Sequence, residues 1–411
     1  MKYQNRFTDD MLDYLKWRGD VAFSDAQPIN EVDYLIFARF SYLPFNQIAL
    51  APRESVKSFS EKMLAVRRNY FNQPNDRTLV ETLQKSKRFI DLITTDYIRN
   101  NDKKVEKQFG AVTIHLPNDE LLISYIGTDA TLVGWKEDFN MMFTPTVPSQ
   151  EQAANYLERI ASKYPNKKLR LCGHSKGGNV AVFSALSAST DIQKRIIEVI
   201  NFDGPGFIPD FVEAKFHRNA EILAKIHQFI PQGSIIGRCL QQEDGDCTVV
   251  NSRELGLYQH DIYSWQVEGT KFVRAPHTAA SSEIFNQTVI DILKTRSLEE
   301  RKSFVNTVYD IICAADFTSM DQLRSSWYKK LPSLIKNYRE VKPEDRDLII
   351  SVVKQTISVY SGTKKKFSAS KNRPRKSLKL NATQSSAYVK LAKGQIQLPY
   401  GRLFCAHYLL N

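Results

Sequence analysis

A serine lies inside a glycine-rich stretch with the spacing of an activated nucleophile. Residues 169–182 read LRLCGHSKGGNVAV, and residues 173–177 fit the pattern G-x-S-x-G with Ser175 at its centre. A serine hydroxyl attacks a carbonyl carbon when a nearby base removes its proton and N–H groups stabilise the oxyanion. The pattern therefore predicts acyl transfer through Ser175. The alternative is a glycine-rich turn in which Ser175 does no chemistry.

The flanking segments predict the sharp turn that this chemistry needs. Residues 167–172 read as a short strand, and residues 179–188 read as a helix. Only a tight strand-to-helix turn lifts the serine hydroxyl clear of a sheet, and its glycines remove Cβ atoms that would clash there. The backbone N–H of Lys176 would then point at the oxyanion, beside the start of a helix, and we expect it to donate there.

The wider pattern predicts the elements that must position this turn. Segments with strand character alternate with helical ones between residues 109 and 260, which favours a mostly parallel α/β sheet. Segments with helical periodicity are residues 31–43, 85–99 and most of the chain beyond about 285. We divide the chain into an α/β domain over 1–290, a helical extension over 291–360 and a basic tail over 361–411.

The positive charge is concentrated at one end of the sequence. The formal net charge is +12, but residues 361–411 hold eleven Lys and Arg residues and no Asp or Glu. The high isoelectric point therefore describes this segment, and residues 1–360 are nearly neutral. Three interpretations are open: a solvated arm, peripheral contact with an anionic membrane, or contact with nucleic acid. Nucleic acid ranks last, because nothing in the sequence resembles a recognition domain.

Cysteine usage and the first residues predict a cytoplasmic protein. The five cysteines are odd in number and scattered, which fits reduced thiols better than disulfides or a zinc site. The first residues, MKYQNRFTDDMLDYLKW, contain acids and lack the apolar core of a secretory signal. No run approaches the roughly 18 apolar residues of a membrane-spanning helix. We expect no metal and no cofactor.

Several blocks of the sequence resemble a known family. GHSKGG resembles the elbow of class-three, fungal-type lipases within the α/β-hydrolases, and SYIGTDATLVGWKEDFNMMF is similar to their FRGT…W..D segment. Across residues 10–330, six ordered blocks resemble an uncharacterised lipase-like family of Gram-positive bacteria: WRGD, EVDYLIFARFSYL, the block at Gly127-Thr128, GHSKGGN, NFDGPGF and QHDIYSWQV. The resemblance implies an α/β-hydrolase fold and a hydrolase, without a substrate.

The resemblance implies further site residues around Ser175. Thr128 matches the Gly-Thr position of the lipases, whose hydroxyl or backbone N–H would complete the oxyanion hole. The alternative is a threonine that only ends a strand. Asp129 and Asp138 are interpreted as carboxylates that order a loop or cap a helix, and Trp135 as a buried anchor.

The base must follow the nucleophile in the chain, because this fold orders its residues serine, acid, histidine. Of the seven histidines, His260, His277 and His407 come late enough. His260 follows a predicted strand at 248–250 and lies in the shared block QHDIYSWQV. We therefore predict His260 as the general base, with His277 as the weaker alternative. His174, beside the nucleophile, is interpreted as a packing or supporting residue.

The acid is the position where the sequence departs from the lipase pattern. Class-three lipases carry an aspartate just after the next-to-last strand, whereas the matching residues 230–237 here hold no carboxylate. Asp203, at the end of the strand that follows the elbow helix, is the best substitute. Its alternative role is a structural turn. Weaker candidates are Glu243, Asp244, Asp246 and Asp261, and a Ser–His dyad without an acid is also open.

The sequence thus predicts a serine hydrolase that cleaves an ester through an acyl-enzyme on Ser175. The substrate class stays open between a lipid ester, a thioester and a small ester. The alternative from a different class is an inactive hydrolase-fold binding module that docks on an anionic membrane through the basic tail. The missing lipase-type acid favours that alternative.

Overall fold

The computed structural model describes residues 9–371, with gaps at 69, 130, 142, 216–219, 241–246, 318–321 and 323–326. An eight-stranded sheet runs through it in sequential order from β1 to β8. The strands are β1 (Glu54–Ser55), β2 (Ile93–Asp102), β3 (Lys107–Leu116), β4 (Glu120–Tyr125), β5 (Lys168–His174), β6 (Ile196–Phe202), β7 (Ile226–Pro231) and β8 (Cys247–Val250). The pairings from β1 to β4 are antiparallel, and those from β4 to β8 are parallel.

Helices cover both faces of this sheet and extend beyond it. The first ten are α1 (Met11–Arg18), α2 (Glu31–Ser41), α3 (Val56–Ala65), α4 (Asp76–Leu83), α5 (Leu132–Asn140), α6 (Pro148–Lys163), α7 (Lys176–Ser187), α8 (Thr190–Arg195), α9 (Pro209–Lys215) and α10 (Ala220–Leu223). The C-terminal ones are α11 (Ala280–Thr295), α12 (Leu298–Ala314), α13 (Leu331–Glu340) and α14 (Pro343–Lys371). A small hairpin pairs β9 (Val267–Glu268) with β10 (Lys271–Phe272).

The hydrophobic core has two layers because side chains alternate across the central strands. On β4, Leu122 packs with α1 to α4, whereas Leu121 and Ile123 pack with α6 and α7 on the other face. All three side chains have no exposed area. Strands covered on both faces read as continuous apolar runs, which is why this segment shows little polar alternation in the sequence. The predicted mostly parallel α/β sheet is confirmed.

One predicted helix is wrong. Residues 85–99 were expected to be helical, but β2 begins at Ile93 and runs to Asp102. The apolar residues of this segment fit a helical period by spacing, yet Ile93, Thr94 and Thr95 are β-branched and favour the pleated conformation. Pairing with β3 on both sides of a bulge between Thr95 and Ile98 stabilises the extended form.

The two predicted segment boundaries fall inside helices. Residue 290 lies within α11, and α14 continues past residue 361 to Lys371. A change in charge does not end a helix, because lysine is a good helix former. Residues 372–411, which hold most of the basic tail, lie outside the described residues. None of the helices in the described part of the chain is long and apolar enough to cross a membrane.

Candidate functional site

Ser175 occupies a strained turn between β5 and α7. Its backbone has φ +58° and ψ −134°, a conformation that L-residues rarely adopt, and its N–H donates to Phe202 O on β6 at 2.9 Å. The turn is tight: a Cβ on Gly177 would lie 2.4 Å from Tyr125 O of the neighbouring strand β4. The predicted strand–turn–helix setting of GHSKG is therefore present, and the parallel sheet with this elbow is an α/β-hydrolase fold.

The predicted residues converge on one edge of the sheet. Thr128 follows β4, Ser175 follows β5 and Asp203 follows β6, so all three stand at the carboxyl ends of neighbouring parallel strands. His260 ends a short helical turn, Gly256–His260, after β8. Ligands of open α/β sheets bind at this edge, because the loops there meet while the strand bodies stay buried.

Asp203 and His260 form a direct pair. His260 Nδ1 lies 2.6 Å from Asp203 Oδ2, and the Asp203 side chain is buried whereas that of His260 is 27% exposed. The remaining Asp203 oxygen accepts from Ser234 Oγ at 2.5 Å and from the Gly237 N–H at 3.1 Å. A carboxylate held by two further donors presents one oxygen to His260 in a fixed direction, which orients the ring.

The segment that lacks the lipase-type acid supplies these two donors. Residues 230–237 hold no carboxylate, but Ser234 and Gly237 within them bind the aspartate that comes from β6. Ser234 is itself buried, and its carbonyl accepts a hydrogen bond from Ser282 Oγ of α11. The carboxylate that faces His260 thus follows β6, one strand before the position expected from the lipase pattern.

His174 supports the loop that carries His260. Its Nε2–H donates to the His260 carbonyl oxygen at 2.9 Å, and the two rings lie 4.4 Å apart. Burial lowers the pKa of His174 well below its usual value, so its ring is neutral with the proton on Nε2. Tyr42 of the loop after α2 donates to the His174 carbonyl oxygen at 3.1 Å. His174 is therefore the supporting residue expected from the sequence.

The serine and the histidine of the site are not hydrogen-bonded to each other. Among the described residues, no hydrogen bond joins Ser175 Oγ to the His260 ring. Such contacts are often long in the absence of substrate and shorten in the reactive complex. The Ser175 residue is only 8% exposed, so little water competes for its hydroxyl.

The two candidate oxyanion donors differ in how they are held. Lys176 is the first residue of α7, where the backbone N–H has no acceptor within the helix. Thr128 Oγ1 lies 2.8 and 2.6 Å from the two carboxylate oxygens of Asp138, to which it donates. The Thr128 hydroxyl proton is thus engaged by Asp138, which leaves its backbone N–H as the donor for an oxyanion.

Asp138 and Asp129 order the segment between β4 and α5, as predicted. Burial raises the pKa of Asp138 to about 6, although the Lys176 ammonium and the Thr128 hydroxyl act against the rise. Asp129 accepts from the Thr131 N–H at 3.0 Å and from Arg99 at 3.1 Å. Trp135 on α5 is half-buried, so it is a less complete anchor than expected.

The structure describes two of the alternative candidates, Asp261 and His277. Asp261 accepts from the Tyr263 N–H at 3.1 Å and caps the next turn. His277 is exposed. Glu243, Asp244, Asp246 and His407 lie outside the described residues.

Sequence reasoning missed the supporting residues Ser234, Tyr42, Gln108 and Glu137. Ser234 and Gln108 belong to none of the quoted blocks, Tyr42 is one of four aromatic residues in EVDYLIFARFSYL, and each of the four supporting residues reaches the site from a distant part of the chain. One signal was present for Glu137: it stands beside Asp138 in the block that resembles the lipase segment.

Several solved structures are similar to parts of this chain at low identity. The Lip2 lipase of Yarrowia lipolytica is similar over 61% of this chain and 87% of its own, at 10% identity and a TM-score of 0.33. An MDLA mutant from Penicillium cyclopium matches over 62% and 89%, at 12% identity and a TM-score of 0.33. A lipase from Rhizopus microsporus var. chinensis matches over 51% and 77%, at 13% identity and a TM-score of 0.29.

These structural similarities are weak, so the fold assignment rests on the parallel sheet and on the strand–turn–helix elbow at Ser175. A search of curated proteins finds no match. The family model described as Mbeg1-like matches residues 83–310. This match spans more than half of the sequence, including Thr128, Ser175, Asp203 and His260. The chain therefore belongs to the Mbeg1-like family.

Proposed function

We propose that the protein is a serine hydrolase that cleaves carboxylic esters through an acyl-enzyme on Ser175. The observation that carries the proposal is the hydrogen bond of 2.6 Å between Asp203 and His260, at the sheet edge where the elbow presents Ser175. A buried carboxylate paired with a partly exposed histidine beside a strained serine is the arrangement that activates a hydroxyl.

The mechanism assigns one role to each residue. His260 Nε2 takes the proton of Ser175 as Oγ attacks the ester carbonyl carbon, and Asp203 stabilises the imidazolium that forms. The backbone N–H groups of Lys176 and Thr128 hold the oxyanion. The tetrahedral intermediate expels the alcohol, which takes the proton from His260. Water, deprotonated by the same histidine, then releases the acid and restores Ser175.

The first step requires the Ser175 hydroxyl to approach the His260 ring. Ser175 Oγ must come within hydrogen-bond distance of His260 Nε2, since the two are not bonded here. A rotation of the serine side chain moves Oγ while the elbow backbone, buried and bonded to Phe202, stays fixed. Substrate binding would supply that rotation by placing the carbonyl carbon between Oγ and the two N–H donors.

Substrate and location form part of the proposal. Lipid esters, thioesters and small esters all suit this chemistry. We further propose that the protein acts in the cytoplasm, from the odd number and scattered spacing of its five cysteines. Peripheral contact of the basic residues 361–411 with an anionic membrane would bring the site to lipid substrates.

A second candidate is an inactive binding module with the same fold. It is favoured by the missing hydrogen bond between Ser175 and His260. The sequence argument for it, the absent lipase-type acid, loses weight because Asp203 occupies the corresponding place beside His260. The two candidates differ in whether Ser175 reacts with an electrophile.

Labelling with a fluorophosphonate probe tests the proposal directly. The wild-type protein should be labelled and should hydrolyse a short-chain p-nitrophenyl ester. The Ser175→Ala variant should lose both properties. Ser187→Ala, at the far end of the same helix, is the matched control and should behave as wild type. Absence of labelling from the folded wild-type protein would support the inactive module, whereas equal labelling of the Ser175→Ala variant would overturn the assignment of Ser175 as the nucleophile.

A further inference from the structure

The side chain of Lys176 is buried directly behind the elbow. It is 1% exposed, and its ammonium donates to Gln108 O of β3 at 2.8 Å and to Glu137 Oε2 of α5 at 2.8 Å. Burying an ammonium costs several kcal/mol unless charged and polar partners replace its water. A hydrophobic residue of similar length would fill the same space without this cost. The lysine is therefore unexpected on packing grounds alone.

Its partner is built into the segment that carries Thr128. Glu137 has no exposed area, and its carboxylate accepts from the Gln108 N–H at 2.9 Å and from the Ser149 N–H at 2.8 Å. These bonds fix α5 against β3 and the start of α6. The carboxylate is thus fully occupied by three donors, of which Lys176 alone comes from the elbow.

The next residue of α5 extends this link to the oxyanion donor. Asp138 Oδ1 lies 3.9 Å from the Lys176 ammonium, and the same carboxylate accepts from the Thr128 hydroxyl. One side chain therefore faces two consecutive carboxylates of α5. The ion pair with Glu137 holds α5 in place. The ammonium also lies 3.9 Å from the Asp138 carboxylate, which binds the Thr128 hydroxyl.

We infer that the Lys176 side chain is a positioning residue that sets the spacing between the two oxyanion donors. Its own backbone N–H is one donor, and its ammonium holds the helix whose Asp138 fixes the other. The inference rests on the proposed function, because it concerns the site of that reaction. The Lys176 side chain thereby gains a positioning role in addition to the role of its backbone N–H as an oxyanion donor.

The competing explanation is that the Lys176–Glu137 pair only stabilises the fold. Removing one member of a buried ion pair leaves an uncompensated charge and is strongly destabilising, whereas neutralising both members is often tolerated. A double variant therefore separates the two explanations. If the pair serves stability alone, the double variant recovers reaction rate together with stability.

The test compares Lys176→Met, Glu137→Gln and the double variant. We expect the single Lys176→Met change to lower Tm. The double variant should recover the part of that loss that comes from the uncompensated carboxylate, and not all of it, because the amide NH₂ of Glu137→Gln then faces a backbone N–H. The rate constant for fluorophosphonate labelling should stay about 10- to 100-fold below wild type in both, because a displaced oxyanion donor costs up to about 10²–10³ in rate. The KM for a p-nitrophenyl ester should change less than about threefold, because the oxyanion forms only after binding.

A second buried lysine, Lys136 on α5, provides the control. Lys136 lies 3.1 Å from Glu106 Oε1 and 4.4 Å from the centre of the Tyr309 ring, and it contacts neither oxyanion donor. Lys136→Met should lower Tm and leave the labelling rate within about threefold of wild type. A loss of rate as large as that of Lys176→Met would overturn the inference, since any loosening of α5 would then suffice.

The remaining outcomes separate this inference from the proposed function. A double variant that regains both Tm and labelling rate would overturn the positioning role while leaving Ser175 as the nucleophile. The same conclusion follows if Lys176→Met labels at the wild-type rate. A wild-type protein that is folded but never labelled would instead remove the proposed function, and the inference with it.

Discussion

Replacing Asp203 with asparagine tests the step that relocates the acid to β6. The substitution preserves shape and keeps one oxygen for the Ser234 hydroxyl and the Gly237 N–H, which both bind Oδ1. The amide NH₂ group then takes the place of Oδ2 and faces His260 Nδ1. Because a donor now faces this nitrogen, the ring must accept at Nδ1 and carry its proton on Nε2. Nε2 can then no longer take the proton of Ser175.

The size of the effect follows from the lost and mismatched contacts. A hydrogen bond to a charged group contributes about 1.5–3 kcal/mol, and a buried donor left without an acceptor costs about 1–3 kcal/mol. The active tautomer of the variant suffers both, so its transition state lies about 3–5 kcal/mol higher. Since 1.36 kcal/mol is a factor of ten in rate, kcat should fall by about 10²–10⁴ while KM changes little.

Ester hydrolysis and fluorophosphonate labelling measure this effect, with Tm as the check on folding. Asp261→Asn is the matched control, because Asp261 is adjacent to His260 in sequence and instead accepts from the Tyr263 N–H. It should retain wild-type kcat to within about threefold. An Asp203→Asn variant that keeps kcat within a factor of five of wild type would refute the acid role of Asp203 and leave a Ser–His dyad.

Three further substitutions probe the surroundings of the site. Ser234→Ala removes the hydroxyl that holds Asp203 and should lower kcat about tenfold, as measured on the same ester. His174→Phe removes the 2.9 Å hydrogen bond to the His260 carbonyl and should lower kcat about tenfold and stability by about 1 kcal/mol, by urea unfolding. Asp138 has its pKa raised from 3.8 to about 6 by burial, so the folded state binds its proton more tightly. Its ionisation therefore costs the folded state about 3 kcal/mol, which appears as pH rises from about 4 to 6. Asp138→Asn should be more stable relative to wild type at pH 7.5 than at pH 4, and a pH-independent difference would contradict this.

The elements around Ser175 could be predicted because short-range chemistry determines them. A strand, three glycines and a helix within 20 residues permit few conformations, and the strained φ of Ser175 follows from that turn. His260 was also accessible, because only late histidines suit the chain order of this fold. Asp203 was the best substitute because the segment after β7 holds no carboxylate; the structure places it 2.6 Å from His260, and its role as the acid stays a prediction.

The supporting contacts were beyond sequence reasoning because they join distant residues. Ser234 reaches Asp203 across 31 positions, and Lys176 reaches Glu137 across 39. Nothing in the local pattern distinguishes such a lysine from a solvated one, since the helix that buries it is placed by the sheet. The wrong helix over residues 85–99 has the same origin. The spacing of the apolar residues fitted a helix there, but pairing with β3 makes part of the segment a strand.

Because β6 and β7 are neighbours, a carboxylate at the end of either strand would occupy nearly the same position in the site. Phe202 pairs with Phe229 in register, and the Asp203 N–H donates to Phe229 O at 2.8 Å, so the ends of both strands lie side by side. A carboxylate from either end can reach a histidine that follows β8. Once the acid is on β6, however, the residues after β7 must supply donors instead of an acceptor, because a second carboxylate there would repel the first in a buried site. Ser234 and Gly237 meet this requirement, so the absence of a carboxylate from residues 230–237 is compatible with the Asp203–His260 pair.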